Sequence, residues 1–148
     1  MSAQLLEGGP VAEAVLDDVR TRVDALKAAG ITPGLGTILV GDDGASAGYV
    51  RKKHETCELV GIASHHIQVV AGDPPAALDE AVANFNEDPT VHGYIIQHPV
   101  ADGFDFNAAL SAMDPAKDAD GLHPTNLGRL VLQEDGPVPC TPAGIQAL

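Results

Sequence analysis

The sequence predicts an α/β fold of three-layer βαβ units around a mainly parallel sheet. Three observations carry this. Apolar residues recur at helical spacing in some segments and fall in short β-rich runs in others, and the two kinds alternate along the chain. The clearest run, Thr37-Ile38-Leu39-Val40, shows no polar–apolar alternation, as a strand buried on both faces requires. Glycine, proline and aspartate stand at the junctions, where turns and caps need them.

The first element is a helix, because Val11, Val15, Val19, Val23 and Leu26 are spaced by three or four residues. Pro10 suits its first turn and Gly30 its C-terminal stop. The strand 37–40 follows, bracketed by Gly36 and Gly41. A turn at 41–44 leads to a helix over 46–60, with Gly61 just past its end. Residues 63–70 read as a second strand. Asp73 before Pro74-Pro75 makes an N-cap with proline in the first turn, and Leu78, Val82 and Phe85 continue that helix. Residues 91–96 form a third strand, ended by Gln97-His98-Pro99, and Asp105 caps a short helix through Leu110. Residues 114–126 read as a polar loop. Thr141 looks like an N-cap with Pro142 at the first helical position. So short a last helix is marginal alone, which points to a chain cut from something longer. No internal repeat or low-complexity linker interrupts the series.

Composition narrows the function. Of the 148 residues, 45% are hydrophobic and 20% charged, enough for one domain with a real core. The 21 acids, 14 of them aspartate, outweigh 8 bases and give a net charge of −13. A surface that binds nucleic acid or anionic lipid needs the opposite sign, so neither partner is expected. Met1 is followed by neither a basic nor an apolar signal region, and no apolar run approaches the roughly 20 residues that span a bilayer. Two cysteines, Cys57 and Cys140, do not make a metal cage or a stapled secreted scaffold. A cytoplasmic location is the expectation.

In parallel sheets, sites lie beyond the carboxyl ends of the strands. This directs attention to the turn after Val40, the Gln97-His98-Pro99 corner and the loop at 118–121. In Tyr49-Val50-Arg51-Lys52-Lys53, Tyr49 and Lys53 share one helix face, and three of the chain's cations are consecutive. Two cationic neighbours favour loss of the Lys53 proton, and a lysine so tuned moves a proton near neutral pH. The same residues also read as a solvated basic turn beside a half-buried tyrosine. Tyr-x-x-x-Lys occurs in short-chain dehydrogenases too. Those begin with a strand followed by a glycine-rich dinucleotide turn, whereas Gly34-Leu35-Gly36 precedes its strand and lacks the third glycine. Gln97 at a strand end suits orienting a lysine or a substrate carbonyl, or merely capping the strand. His98 is a single histidine with no evident partner, more often a structural residue than a proton carrier. His65 and His66 point to opposite strand faces, His54, His92 and His123 lack ligand spacing, and no metal is assigned. Asp118 and Asp120 flank a turn that binds an amino-bearing heterocycle or a cation, or is simply solvated. Cys57 reads as a small buried hydrophobe and Cys140 as structural.

Together these segments resemble one family. Pro33-Gly34-Leu35, Ile38-Leu39-Val40-Gly41-Asp42-Asp43, Ala45-Ser46, Tyr49-Val50 and Lys53 match in order. Val91-His92-Gly93-Tyr94-Ile95-Ile96-Gln97, Asp114-Pro115-Ala116-Lys117-Asp118-Ala119-Asp120-Gly121, His123-Pro124, Asn126, Gly128-Arg129-Leu130 and Pro139-Cys140-Thr141-Pro142 continue the series. The chain is similar, through nearly all of its length, to the bifunctional methylenetetrahydrofolate dehydrogenase/methenyltetrahydrofolate cyclohydrolases of the FolD type.

The resemblance implies that residues 1–148 form a folate-binding catalytic domain, with the last helix from about 142 leading toward a Rossmann-type domain that binds NADP. That domain and the family's glycine-rich folate loop lie outside these residues. It implies interconversion of 5,10-methylene-, 5,10-methenyl- and 10-formyl-tetrahydrofolate in the parent, a homodimer. This chain alone is expected at most to bind folate weakly and to hydrolyse the methenyl form slowly, without the dehydrogenase step. A non-catalytic folate- or partner-binding remnant is the alternative. By the same resemblance, Lys53 is the essential lysine, Gln97 hydrogen-bonds near it, Tyr49 packs on the folate and Asp120 is the pterin-binding carboxylate. Val50, Arg51, Lys52, Ile96, His98 and Pro99 complete the expected substrate-binding set. After Gln97 the family commonly has Leu-Pro-Leu-Pro, where this chain has His98-Pro99-Val100-Ala101.

Overall fold

The structure, a computed structural model, describes residues 5–148. Three strands, β1 (Gly34–Val40), β2 (Ala63–Val69) and β3 (Gly93–Gln97), are all parallel and lie in the order β2-β1-β3. The helices are α1 (Gly8–Ala28), α2 (Gly44–Val60), α3 (Ala76–Glu87), α4 (Phe106–Ala112), α5 (Pro124–Leu132) and α6 (Cys140–Ala147). Alternate residues of β1 enter two cores. Ile38 and Val40 join Val82, Phe85, Tyr94 and Ile96 against α3 and α4. Thr37 and Leu39 face α2, whose Val50, Cys57 and Val60 are buried. The result is the three-layer parallel α/β architecture the sequence predicts.

β1 begins at Gly34, three residues before the expected start, because the glycines continue the ladder: Gly34 pairs with Ala63 and Gly36 with Tyr94. Their role is steric. A Cβ on Gly34 would lie 2.0 Å from the Thr90 carbonyl oxygen, and one on Gly36 would lie 2.8 Å from both the Phe85 ring and Tyr94 Cβ. The valine stripe of α1 buries only Val23 and leaves Val15 exposed. Each step of four residues advances about 40° around a helix, so the stripe spirals away from the core.

Three caps differ from expectation. Asp73 accepts from the Val70 N–H at 3.0 Å and closes the turn after β2, so α3 starts at Ala76 without a side-chain cap. Residues 114–126 are not one loop: a 3-10 turn (Pro115–Lys117) and then α5 occupy them, with His123 Nδ1 accepting from the Thr125 N–H at 3.0 Å. Helix α6 starts at Cys140 rather than after Thr141, behind Pro139. Asp105 does cap α4, accepting from the Ala108 N–H at 3.0 Å.

The C-terminal third hangs on one carboxylate. Asp118 is 4% exposed and forms an isolated parallel bridge with Tyr94 on the outer edge of β3. Its Oδ1 accepts from the Gly121 N–H at 2.9 Å; its Oδ2 accepts from the His123 N–H at 2.8 Å and from Asn126 Nδ2 at 2.9 Å. Burial alone would raise its pKa. The bonds from Asn126, His123, Leu122 and Gly121 outweigh that and hold it below the ordinary carboxylate range.

Gly36→Ala is expected to cost about 1–3 kcal/mol by overpacking, read as a lower urea midpoint at unchanged slope. Gly48→Ala, whose Cβ would meet nothing within 4 Å on a helix, should be neutral or stabilising. Because the folded pKa of Asp118 is depressed, its contribution is present above the unfolded value of about 3.9 and is lost as pH falls through the folded one. Asp118→Asn turns an amide N–H₂ toward donors, and at pH 7 it should destabilise by about 2 kcal/mol or more. Urea titrations at successively lower pH should show the gap to wild type narrowing below about pH 4.

Candidate active site

Helix α2 presents the basic segment because both its ends are fixed. Asp43 Oδ2 accepts from the Ser46 N–H at 2.7 Å, a bond that holds its carboxyl below the usual range. Gly61, at φ 83°, closes the other end with its N–H on the Cys57 and Glu58 carbonyls. Lys53 is half-buried, and its Nζ donates to Gln97 Oε1 at 2.7 Å. Gln97 is the last residue of β3, and its own Nε2 donates to the His98 carbonyl at 2.9 Å, ahead of a cis His98–Pro99 peptide. The lysine therefore meets a fixed, neutral acceptor at the carboxyl end of the sheet. Tyr49, one turn earlier on the same helix, is 67% exposed.

The other residues singled out from the sequence divide by burial. Val50 and Ile96 are core side chains, 4% exposed each, so only their backbone can face a ligand. Arg51 and Lys52 are exposed, and Arg51 stands 3.9 Å from Glu55. His98 is exposed with its ring edge-to-face on Phe106 at 4.9 Å, and Pro99 is exposed beside it. Asp120 is half-buried two residues beyond the Asp118 network, its N–H donating to Asp118 Oδ1 at 3.2 Å. The two acids thus split: the first organises the turn and the second is presented by it.

Cys140 belongs with this group, although its spacing gave it only a structural reading. Gly121, at φ 68°, has room for no side chain: a Cβ would lie 2.8 Å from the Val138 carbonyl carbon. That close approach seats Cys140 beside the turn, its Sγ 3.9 Å from the Ala119 carbonyl oxygen. Burial and then the Asp120 carboxylate push the thiol up, while Lys53 pulls it down. Lys53 and Asp120 therefore act on one thiol from different elements. The signal in the sequence is Pro139-Cys140-Thr141-Pro142, a motif visible through resemblance but not through periodicity. Among the described residues, no group of three or more His, Cys, Asp or Glu is placed to hold a metal ion. None of the described helices is long and apolar enough to cross a membrane.

Comparison with known proteins identifies the family. The family description tetrahydrofolate dehydrogenase/cyclohydrolase, catalytic domain, matches residues 6–120. A bifunctional protein FolD of Syntrophotalea carbinolica is 66% identical over 148 residues, covering 100% of this chain and 51% of the relative. The crystal structure of the bifunctional enzyme FolD from Campylobacter jejuni superposes with a TM-score of 0.94 at 34% identity, over 98% of this chain and 52% of that one. The Trypanosoma brucei methylenetetrahydrofolate dehydrogenase-cyclohydrolase, solved with NADP and an inhibitor, gives 0.92 at 32% identity, over 99% and 51%. The chain spans about half the length of the curated relatives it matches. With its matched residues spread over both the α2 face and the Asp118–Asp120 turn, the chain belongs to the tetrahydrofolate dehydrogenase/cyclohydrolase catalytic-domain family.

Proposed function

We propose that this chain is the folate-binding catalytic part of a methylenetetrahydrofolate dehydrogenase/methenyltetrahydrofolate cyclohydrolase, and that it carries the residues of the cyclohydrolase step. The observation that supports this most directly is the 2.7 Å bond from Lys53 Nζ to Gln97 Oε1, which fixes a half-buried amino group at the carboxyl end of the sheet. Tyr49 stacks on the folate, and Asp120 pairs with the amino-pyrimidine edge of the pterin.

In the step itself, water adds to the electrophilic methenyl carbon. The bond from that carbon to N5 then breaks, leaving the formyl group on N10. One water proton ends on N5 and the other leaves to solvent. Lys53 accepts the proton from the adding water, returns it to the departing nitrogen and stabilises the developing oxygen charge. Gln97 keeps the lysine on that line, and holding reactants in place can itself supply about 7 kcal/mol or more of the barrier reduction.

Hydride transfer in the parent takes NADP, and the described residues do not fit a dinucleotide. Gly34-Leu35-Gly36 lies inside β1, where Thr90, Phe85 and Tyr94 fill the space beside the glycines, and the N-terminus of α2 is already capped by Asp43. In this reading NADP is bound, and the homodimer formed, with the remainder of the parent chain.

The test follows the loss of 5,10-methenyltetrahydrofolate absorbance against the buffer rate, with folate binding measured by calorimetry. Lys53→Met should bring hydrolysis to the buffer rate with binding largely kept, whereas Asp120→Ala should weaken binding at least about tenfold, the loss of one charged hydrogen-bond pair. Near wild-type hydrolysis by Lys53→Met would remove Lys53 from the mechanism.

A further inference from the structure

Lys53 and His54 are adjacent on α2, about 100° apart around its axis, and they reach in opposite directions across the sheet. Lys53 extends to Gln97 on β3. His54 extends toward β2, where its Nδ1 hydrogen-bonds with Ser64 Oγ. Its Nε2 lies 3.2 Å from Thr37 Oγ1 on the intervening β1. The same hydroxyl is met by His66 Nδ1 at 2.9 Å, and the two imidazoles stand edge-to-face with centroids 5.4 Å apart. Thr37 is 2% exposed at the middle of the central strand, where a valine of the same shape would avoid burying a hydroxyl. Burial, and then the facing His66, hold His54 below the ordinary histidine range. It is therefore kept neutral, with one nitrogen to donate and one to accept. Neither the Lys53–Gln97 bond nor the Asp118 network uses any of these groups.

The packing of α2 explains what they do. Its buried stripe runs Ser46, Val50, Cys57 and Val60, and the middle of that stripe is occupied by Lys53 and His54, both half-buried. Apolar contacts resist separation of helix and sheet but resist rolling only weakly. Two polar anchors on opposite sides of β1 fix the roll. We propose that His54, seated on Thr37 and Ser64, is a positioning residue for Lys53: it sets the rotation of α2 and thereby where the Lys53 amino group falls relative to Gln97. This rests on the reading of Lys53 as the proton-moving group. A displacement of about 1 Å at such a group costs up to about a hundredfold in rate.

The test uses His54→Leu, His54→Gln and Lys53→Met in the full chain, with Thr37→Val as a second variant that keeps the shape of the strand. In methenyltetrahydrofolate hydrolysis, His54→Leu should lower kcat by about tenfold or more with KM little changed. His54→Gln, which keeps a donor and an acceptor, should recover most of the loss. Independently of turnover, the side-chain amide resonance of Gln97 reports the lysine bond, and Lys53→Met defines its position when that bond is absent. His54→Leu and Thr37→Val should both move the resonance toward that position. An unmoved resonance in folded His54→Leu and Thr37→Val overturns the proposal, as does unchanged kcat in His54→Leu where Lys53→Met is inactive. Turnover by Lys53→Met would instead overturn the cyclohydrolase reading and leave the resonance to decide the positioning role.

Discussion

The burial of β1 on both faces is the constraint from which the other features follow. A central strand between two parallel neighbours must be covered by helices above and below, so the crossovers α2 and α3 lie on opposite sides. Its side chains then have two different tasks. Toward α3 the strand offers Ile38 and Val40 and withdraws Cβ atoms at Gly34 and Gly36, letting Phe85, Tyr94 and the Thr90 carbonyl come close. Toward α2 it offers Leu39 and the hydroxyl of Thr37. One strand thus provides a dry core on one side and, on the other, a polar contact to α2 through Thr37 and His54.

The second organising element is electrostatic. Asp118 takes four or more N–H groups from a short stretch of chain and converts an irregular segment into a defined turn, the start of α5 and a seat against β3. Asp120 is positioned by the backbone of that turn, and its carboxylate lies beside the Cys140 thiol. Stability and presentation are assigned to two acids of the same type, two residues apart.

Much of this was legible in the sequence. The apolar run 37–40, the helix ended by Gly61 and the Asp105 cap each rest on local rules that the structure obeys. The start of β1 was not, because glycine reads as punctuation and its steric use at positions 34 and 36 depends on Phe85, Thr90 and Tyr94, more than 45 residues away. Helix α5 was hidden for a related reason: its first turn is held by His123 and by buried Asn126 on Asp118, so it reads as polar loop. The pair Asp118 and Asp120 marked a turn, but spacing alone does not say which acid is buried. The His54–Thr37–Ser64–His66 group carries no spacing signal at all, since residues from α2, β1 and β2 meet only after folding.

The partner of Lys53 is an amide and not a carboxylate. A carboxylate would tie the lysine to its charged form, since deprotonation would leave an anion without a counterion. Gln97 can accept from an ammonium and, more weakly, from a neutral amine, because both still carry N–H. On the proposed reading, a proton can therefore leave Nζ and return with the same hydrogen bond in place. The pairing thus needs no counterion to follow the charge on the lysine, which a carboxylate partner at the same place would demand.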